Sequence, residues 1–108
     1  MVYELRSYYT TPGKLEELIA RFDTFTLKLW QRFEIRPVGF WTTIIGDDNN
    51  TLFYMLKWES LAEREDKWNK FLAHPDWLKI REKTEKNGPL IAKISSQMLA
   101  PTSFSELK

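Results

Sequence analysis

VGFWTTIIG-DDNN-TLFYMLKWE, residues 38–59, is the stretch on which the fold turns. Its two outer runs are dense in β-branched and aromatic residues, and Asp47-Asp48-Asn49-Asn50 between them is a polar turn. Two such runs joined in this way read as a β-hairpin with a longer loop. The hairpin sits in mid-chain, so the segments on either side of it set the topology.

Upstream, VYELRSYYT (2–10) reads as a first strand. Thr11-Pro12-Gly13 stops it, and Pro12 at a first helical position with Thr11 as N-cap predicts a helix start there. Leu15, Leu18, Ile19, Phe22, Phe25, Leu29 and Phe33 then recur at three- and four-residue steps, one apolar face of a helix that Arg36-Pro37 ends. Downstream, Ser60-Leu61-Ala62-Glu63 is a capping box that opens a second helix. This helix runs through Trp68 and Phe71 to a break at His74-Pro75 and resumes through Trp77 and Ile80. Asn87-Gly88-Pro89 stops it, and residues 90–99 form the last strand. The order is β-α-β-β-α-β, so the chain is expected to be an α+β ferredoxin-like unit with an antiparallel sheet and its helices on one face. A single domain over residues 1–100 and a polar tail over 101–108 are expected.

With the helices on one sheet face, the other face should be polar if water met it. The strands instead carry large apolar residues on both sides: Val38, Phe40 and Ile44 against Trp41 and Ile45, and Phe53 and Met55 against Tyr54, Leu56 and Trp58. A homodimer joined through the open sheet face, with room for a higher oligomer, is the expected assembly. A weak echo aligns Tyr3-Glu4-Leu5-Arg6 with Tyr54-Met55-Leu56-Lys57 and places Tyr3 and Leu5 on the helix side. Glu4, Arg6 and Tyr8 would then share the inter-sheet space with Met55 and Lys57. Charges enclosed there must be paired or must line a ligand-filled cavity. Two readings stay open: a structural Glu4–Arg6 or Glu4–Lys57 ion pair, and a pocket for a small molecule.

Composition narrows the function classes. Sixteen basic and fifteen acidic residues leave a net charge of +1, which gives no field to gather nucleic acid. No run approaches a membrane span, and the N-terminus lacks a basic leader and an apolar core, so a cytoplasmic protein is expected. The absence of cysteine removes disulfides, thiolate metal sites and thiol nucleophiles. Aromatics, at 15%, exceed what so small an interior comfortably holds, which points to an interface or a pocket.

VYELRSYYTTPGKLEEL at the start, VGFWTTIIG in the middle and WESLAER after the third strand resemble the NIPSNAP family, and the resemblance runs from Val2 to about Met98. It implies a dimeric α+β barrel of two ferredoxin-like units packed sheet to sheet. It also implies kinship with antibiotic-biosynthesis monooxygenases, haem-degrading monooxygenases and small isomerases, and brings no settled activity of its own. The chain looks like a short bacterial-type member without a targeting extension. Haem-degrading relatives share an Asn on the first strand, a Trp on the second helix and a His ten residues later. Here the first strand has no Asn, and Phe71 and Arg81 stand at the other two positions. No haem or other cofactor is therefore expected.

No motif in the chain dictates a reaction. His74 is the only histidine, which gives no metal-ligand spacing and, beside Pro75, suits a cap. A small hydrophobic or aromatic ligand between the two sheets is the expected cargo, with Glu4, Arg6, Tyr8, Trp41, Met55, Lys57, Arg64 and His74 as candidate pocket residues. In a cofactor-independent monooxygenase or isomerase Arg6 would stabilise an enolate or phenolate, Tyr8 would relay a proton, and Trp41 and Met55 would shape the cavity. Arg64 shares a helix face with Leu61, Trp68 and Phe71, and stem contact with the guanidinium reaching solvent or a cap is its expected role. The competing class is a non-enzymatic interaction module whose tryptophans fill a partner groove.

Overall fold

Strand β1 (Val2–Thr10) runs through the middle of a four-stranded antiparallel sheet, flanked by β3 (Thr51–Trp58) on one side and β4 (Ile91–Leu99) on the other. β2 (Arg36–Thr42) closes the far edge, giving the order β2-β3-β1-β4 of a ferredoxin-like unit. This is a computed structural model and describes residues 1–108. The molecule measures 45 × 37 × 19 Å, and the short dimension is the thickness of one sheet and one layer of helices. Residues 101–108 form neither helix nor strand.

The first helical arm begins later than the Thr11-Pro12 signal predicts. Pro12-Gly13 forms a turn in which the Lys14 amide donates to the Thr11 carbonyl at 2.9 Å and Gly13 takes φ +85°. Pro followed by a left-handed Gly is the type II pattern, so the pair bends the chain instead of opening the helix. Thr11 spends its hydroxyl on the Pro89 carbonyl, and α1 (Leu15–Arg21) starts without a side-chain cap. A π-helical turn (Phe22–Thr26) joins α1 to α2 (Leu27–Phe33). The wider turn moves the apolar stripe round by one residue, so that Thr26 and Trp30 face the core while Phe25 is only half-buried. Glu34, at φ +57°, ends the arm in a left-handed cap before Arg36 is reached.

The hairpin forms, but β2 stops at Thr42. Ile44 and Ile45 lie in the connecting loop, each 95% exposed, and contribute to neither sheet face. Ser60 caps α3 (Leu61–Ala73) by accepting from the Glu63 amide at 3.1 Å. The Glu63 carboxylate answers one residue further back, on the Glu59 amide. The break at His74-Pro75 is present, and the His74 Nδ1 accepts from the Asp76 amide as the N-cap of α4 (Pro75–Thr84).

All helices cover one face of the sheet. Beneath them lies an aromatic core of Tyr8, Phe22, Trp30, Tyr54, Trp58, Trp68, Phe71 and Trp77 with Leu18, Leu29, Leu52 and Leu56. Its rings meet mostly edge-on or tilted at centroid distances of about 5–6 Å, as in Trp30–Phe71 and Phe22–Tyr54. The aromatic surplus is thus concentrated in one core, and Trp41, 51% exposed on the opposite face, stands apart from it.

Register corrects the expected phase of β1. Glu4 pairs with Leu56, Arg6 with Tyr54 and Tyr8 with Leu52, so these three side chains point towards the helices. Tyr3, Leu5, Ser7 and Tyr9 turn to the open face beside Phe53, Met55 and Lys57. The Tyr-x-Leu-basic echo aligned the strands one residue out. Both sides of β1 hold buried residues, Tyr3 on one and Glu4 on the other, so hydropathy alone could not separate them.

Candidate functional site

The helix-facing side of β1 carries a polar seam under an aromatic roof. Alternation puts Glu4, Arg6 and Tyr8 in a row, and each finds partners from distant elements. Glu4 is wholly buried. Its carboxylate accepts from Arg6 Nη1 at 2.6 Å, Ser96 Oγ at 2.7 Å, Arg64 Nε and Nη2 at 3.0 and 3.1 Å, and Trp58 Nε1 at 3.1 Å. Burial pushes this carboxyl up, but the bonds from Arg64, Ser96 and Arg6 outweigh it and bring the pKa down to about 2. Glu4 is therefore ionised at neutral pH and cannot serve as a general acid or base.

Arg6 lies on the Trp68 ring, its guanidinium carbon 4.7 Å from the centroid. Its Nε donates to the Tyr54 hydroxyl at 2.7 Å and Nη2 donates to Tyr8 at 3.4 Å. Burial disfavours the charge, yet Tyr54, Tyr8 and Glu4 together raise its pKa. Burial, seconded by Tyr8, holds the Tyr54 phenol well above its ordinary value, so Tyr54 stays protonated. The two phenol oxygens are 2.7 Å apart and one hydroxyl hydrogen bridges them. The second hydrogen has no protein acceptor. Tyr54 is fully enclosed and Tyr8 borders open space, so the free O–H belongs to Tyr8.

That space is a cavity of about 450 Å³ between the sheet and the helices. Arg6 and Tyr8 form part of its floor, Phe22, Trp30, Trp68 and Trp77 part of its walls, and Ile91 and Ile94 bring β4 to its edge. The size and the apolar lining with a few polar groups are those of a small-molecule site. Arg21, from the last residue of α1, also borders it, with its guanidinium carbon 5.2 Å from the Trp77 centroid. Nη1 of Arg21 donates to Glu85 at 3.0 Å and to Thr84 at 3.4 Å. No group of three His, Asp or Glu side chains is placed to hold a metal ion.

The eight residues expected to share a pocket separate into four groups. Arg6 and Tyr8 reach the cavity. Glu4 and Arg64 stand behind Arg6, and the Arg64 guanidinium turns inward to Glu4 in place of the expected solvent or cap contact. Trp41, Met55 and Lys57 lie on the opposite sheet face, so they cannot meet Arg6 and Lys57 cannot pair with Glu4. His74 sits at the α3–α4 junction, edge-on to Phe33 at 5.3 Å. Of the two readings of the seam, the Glu4–Arg6 ion pair is present, and it adjoins a cavity on the helix side of the sheet. Sequence reasoning missed Arg21, Trp30, Tyr54 and Trp77 as site residues. A core-facing arginine in the first helix was the available signal.

The sequence profile of the NIPSNAP family matches residues 3–106. Protein NipSnap homolog 3A of Homo sapiens is 29% identical over 75 residues, which is 69% of this chain and 30% of that protein. The match thus spans about a third of the curated relative's length. A NIPSNAP family protein of Agrobacterium tumefaciens superposes with a TM-score of 0.87 at 22% identity, covering 99% of this chain and 98% of that one. A candidate antibiotic biosynthesis monooxygenase from Nitrosomonas europaea shares the fold at a TM-score of 0.64 and 8% identity, over 94% and 98% of the two chains. No helix is long and apolar enough to cross a membrane.

Proposed function

The chain belongs to the NIPSNAP family, and we propose that it binds a small, flat, largely apolar molecule between its sheet and its helices. The observation that carries this reading is the cavity of about 450 Å³ with aromatic walls and the Arg6–Tyr8 pair in its floor. The free Tyr8 hydroxyl is a donor aimed at a ligand oxygen, and Arg6 behind it favours negative charge there.

The same pair supports a second reading, a cofactor-independent isomerase or monooxygenase. In that chemistry an enolate or phenolate forms next to the Tyr8 O–H and the Arg6 charge, and both would bind it more tightly than the neutral substrate. The shared fold with the monooxygenase-named protein shows architecture alone.

Assembly follows from the open face, where Leu5, Tyr9, Trp41, Phe53, Met55 and Leu99 have no covering layer. The Trp41 ring occupies the space that a Cβ at Gly39 would take. Four strands present a face of roughly 500 Å² before side-chain relief, about three fifths of the roughly 800 Å² each partner gives a standard interface. A second copy placed sheet to sheet covers it with two-fold symmetry, and a homodimer is the proposed state.

Titration of the intrinsic tryptophan fluorescence with flat phenols and naphthols tests the binding reading, since Trp30, Trp68 and Trp77 all border the cavity. Saturable quenching, weakened in Tyr8→Phe, is expected. Quenching that never saturates, or that ignores Tyr8→Phe, would defeat it.

A further inference from the structure

The two buried arginines of the cavity have unlike surroundings. Arg6 shares the Glu4 carboxylate, at 2.6 Å, with Arg64, but phenol oxygens take both of its other nitrogens and an indole lies against its face. Its charge is answered. Arg21 is as deeply buried, 4% exposed, and likewise shares its carboxylate, Glu85, with a second arginine, Arg81, whose Nε donates to Oε2 at 3.3 Å. Of the three Arg21 nitrogens only Nη1 has protein acceptors, Glu85 and Thr84. The Nε–H of Arg21 is buried with no acceptor at all. The indole N–H of Trp30, another residue bordering the cavity, is buried and unpartnered as well.

Buried donors in a folded protein almost always have partners, and a charged one left orphaned costs more than a neutral one. Both orphans are fully enclosed and do not open into the cavity, but they mark its Arg21 side as short of acceptors where it already holds a cation. We infer that the ligand is an anion, a flat aromatic or enolic acid whose charged oxygen is held by Arg21 and not by Arg6. The direction of the arginine shifts agrees with this division. Burial lowers the Arg21 pKa, and Glu85 does not make up the loss, whereas Arg6 is raised by its neighbours. The less fully partnered cation is the one that gains more from a ligand anion. Tyr8, backed by Arg6, is left to address a second oxygen of the ligand, and the Trp77 ring lies against the Arg21 guanidinium.

The inference rests on the binding reading above and sharpens it to a ligand class. It is tested on the full chain with a matched pair of probes, 2-naphthoate and 2-naphthamide, which differ in charge and hardly in shape. Calorimetry should find the acid at least about tenfold tighter than the amide. Arg21→Gln should erase that preference, and Arg21→Lys should keep part of it. Glu85→Gln is the decisive second variant, because it removes the competing charge while an amide oxygen of nearly the same shape can still accept from Arg21. It should tighten naphthoate several-fold and leave naphthamide unchanged, a gain that no merely structural role of Glu85 produces. Equal binding of acid and amide, or an acid preference that survives Arg21→Gln, would overturn the anion assignment while leaving the binding reading intact. If neither probe binds, the binding reading falls and the anion assignment with it.

Discussion

Arg64 meets Glu4 side-on, with Nε on Oε1 at 3.0 Å and Nη2 on Oε2 at 3.1 Å, so a two-pronged charged bond ties α3 to the central strand β1. The Glu4 end is wholly enclosed and the Arg64 end is partly wet. This is the geometry in which a carboxylate and a guanidinium fit each other best. Arg64→Lys keeps the charge and loses the fork. It is expected to lower unfolding free energy by about 1–2 kcal/mol in urea titration. A variant as stable as the parent would show that Arg6 and Ser96 hold Glu4 without help.

Acid should weaken the fold through Glu4. Its folded pKa, about 2, lies below the 4.5 of the free side chain, so the folded state binds the proton less readily than the unfolded one. The resulting stability is present in full above pH 4.5 and is lost progressively as pH falls through 4.5 towards 2. The size is on the order of 3 kcal/mol. Urea midpoints taken between pH 6 and pH 2.5 should fall steeply in the parent and less steeply in Glu4→Gln, which starts from a lower stability. Parallel slopes in the two proteins would assign the acid sensitivity to other carboxylates.

The partners of Glu4 also explain why this site was hard to see in the sequence. Element order, the hairpin, the Ser60 cap and the break at His74-Pro75 are written in local patterns, and local patterns are what a chain displays. The face on which Glu4 and Arg6 lie is decided by Arg64, Trp58 and Ser96, which are 60, 54 and 92 residues away from Glu4. Without those partners the phase of β1 rested on the Tyr-x-Leu-basic echo, and that moved the pocket to the wrong side of the sheet. The π turn at Phe22–Thr26 hid Trp30 in the same way, because a regular 3.6-residue period brings Phe25 inward in its place.

Tyr54 and Tyr8 carry the same hydroxyl with different duties, and single oxygen deletions should separate them. Tyr54→Phe strips the acceptor from Arg6 Nε and leaves a buried charged donor unpaired. The expected loss is about 1–3 kcal/mol of stability, read as a lower thermal midpoint. Tyr8→Phe removes an oxygen that accepts from Arg6 and Tyr54, on a residue that lines the cavity. A smaller stability loss and a larger drop in ligand affinity are expected. Equal thermal shifts with unchanged binding would assign both hydroxyls to structure alone.

Met55 gives the cleanest test of assembly, because its register places it between Leu5 and Gly39 on the uncovered face. In an isolated chain a carboxylate at this half-buried position keeps contact with water and costs little. In a sheet-to-sheet dimer two-fold symmetry brings two such carboxylates into one apolar layer, where each loses hydration and repels the other. Met55→Glu should therefore convert a dimer into a folded monomer in light scattering at micromolar concentration, with its circular dichroism unchanged. The cavity lies on the other face of the sheet, so ligand affinity should persist in that monomer. A parent protein that is already monomeric under these conditions would remove the proposed interface, and a Met55→Glu protein that stays dimeric would move it elsewhere.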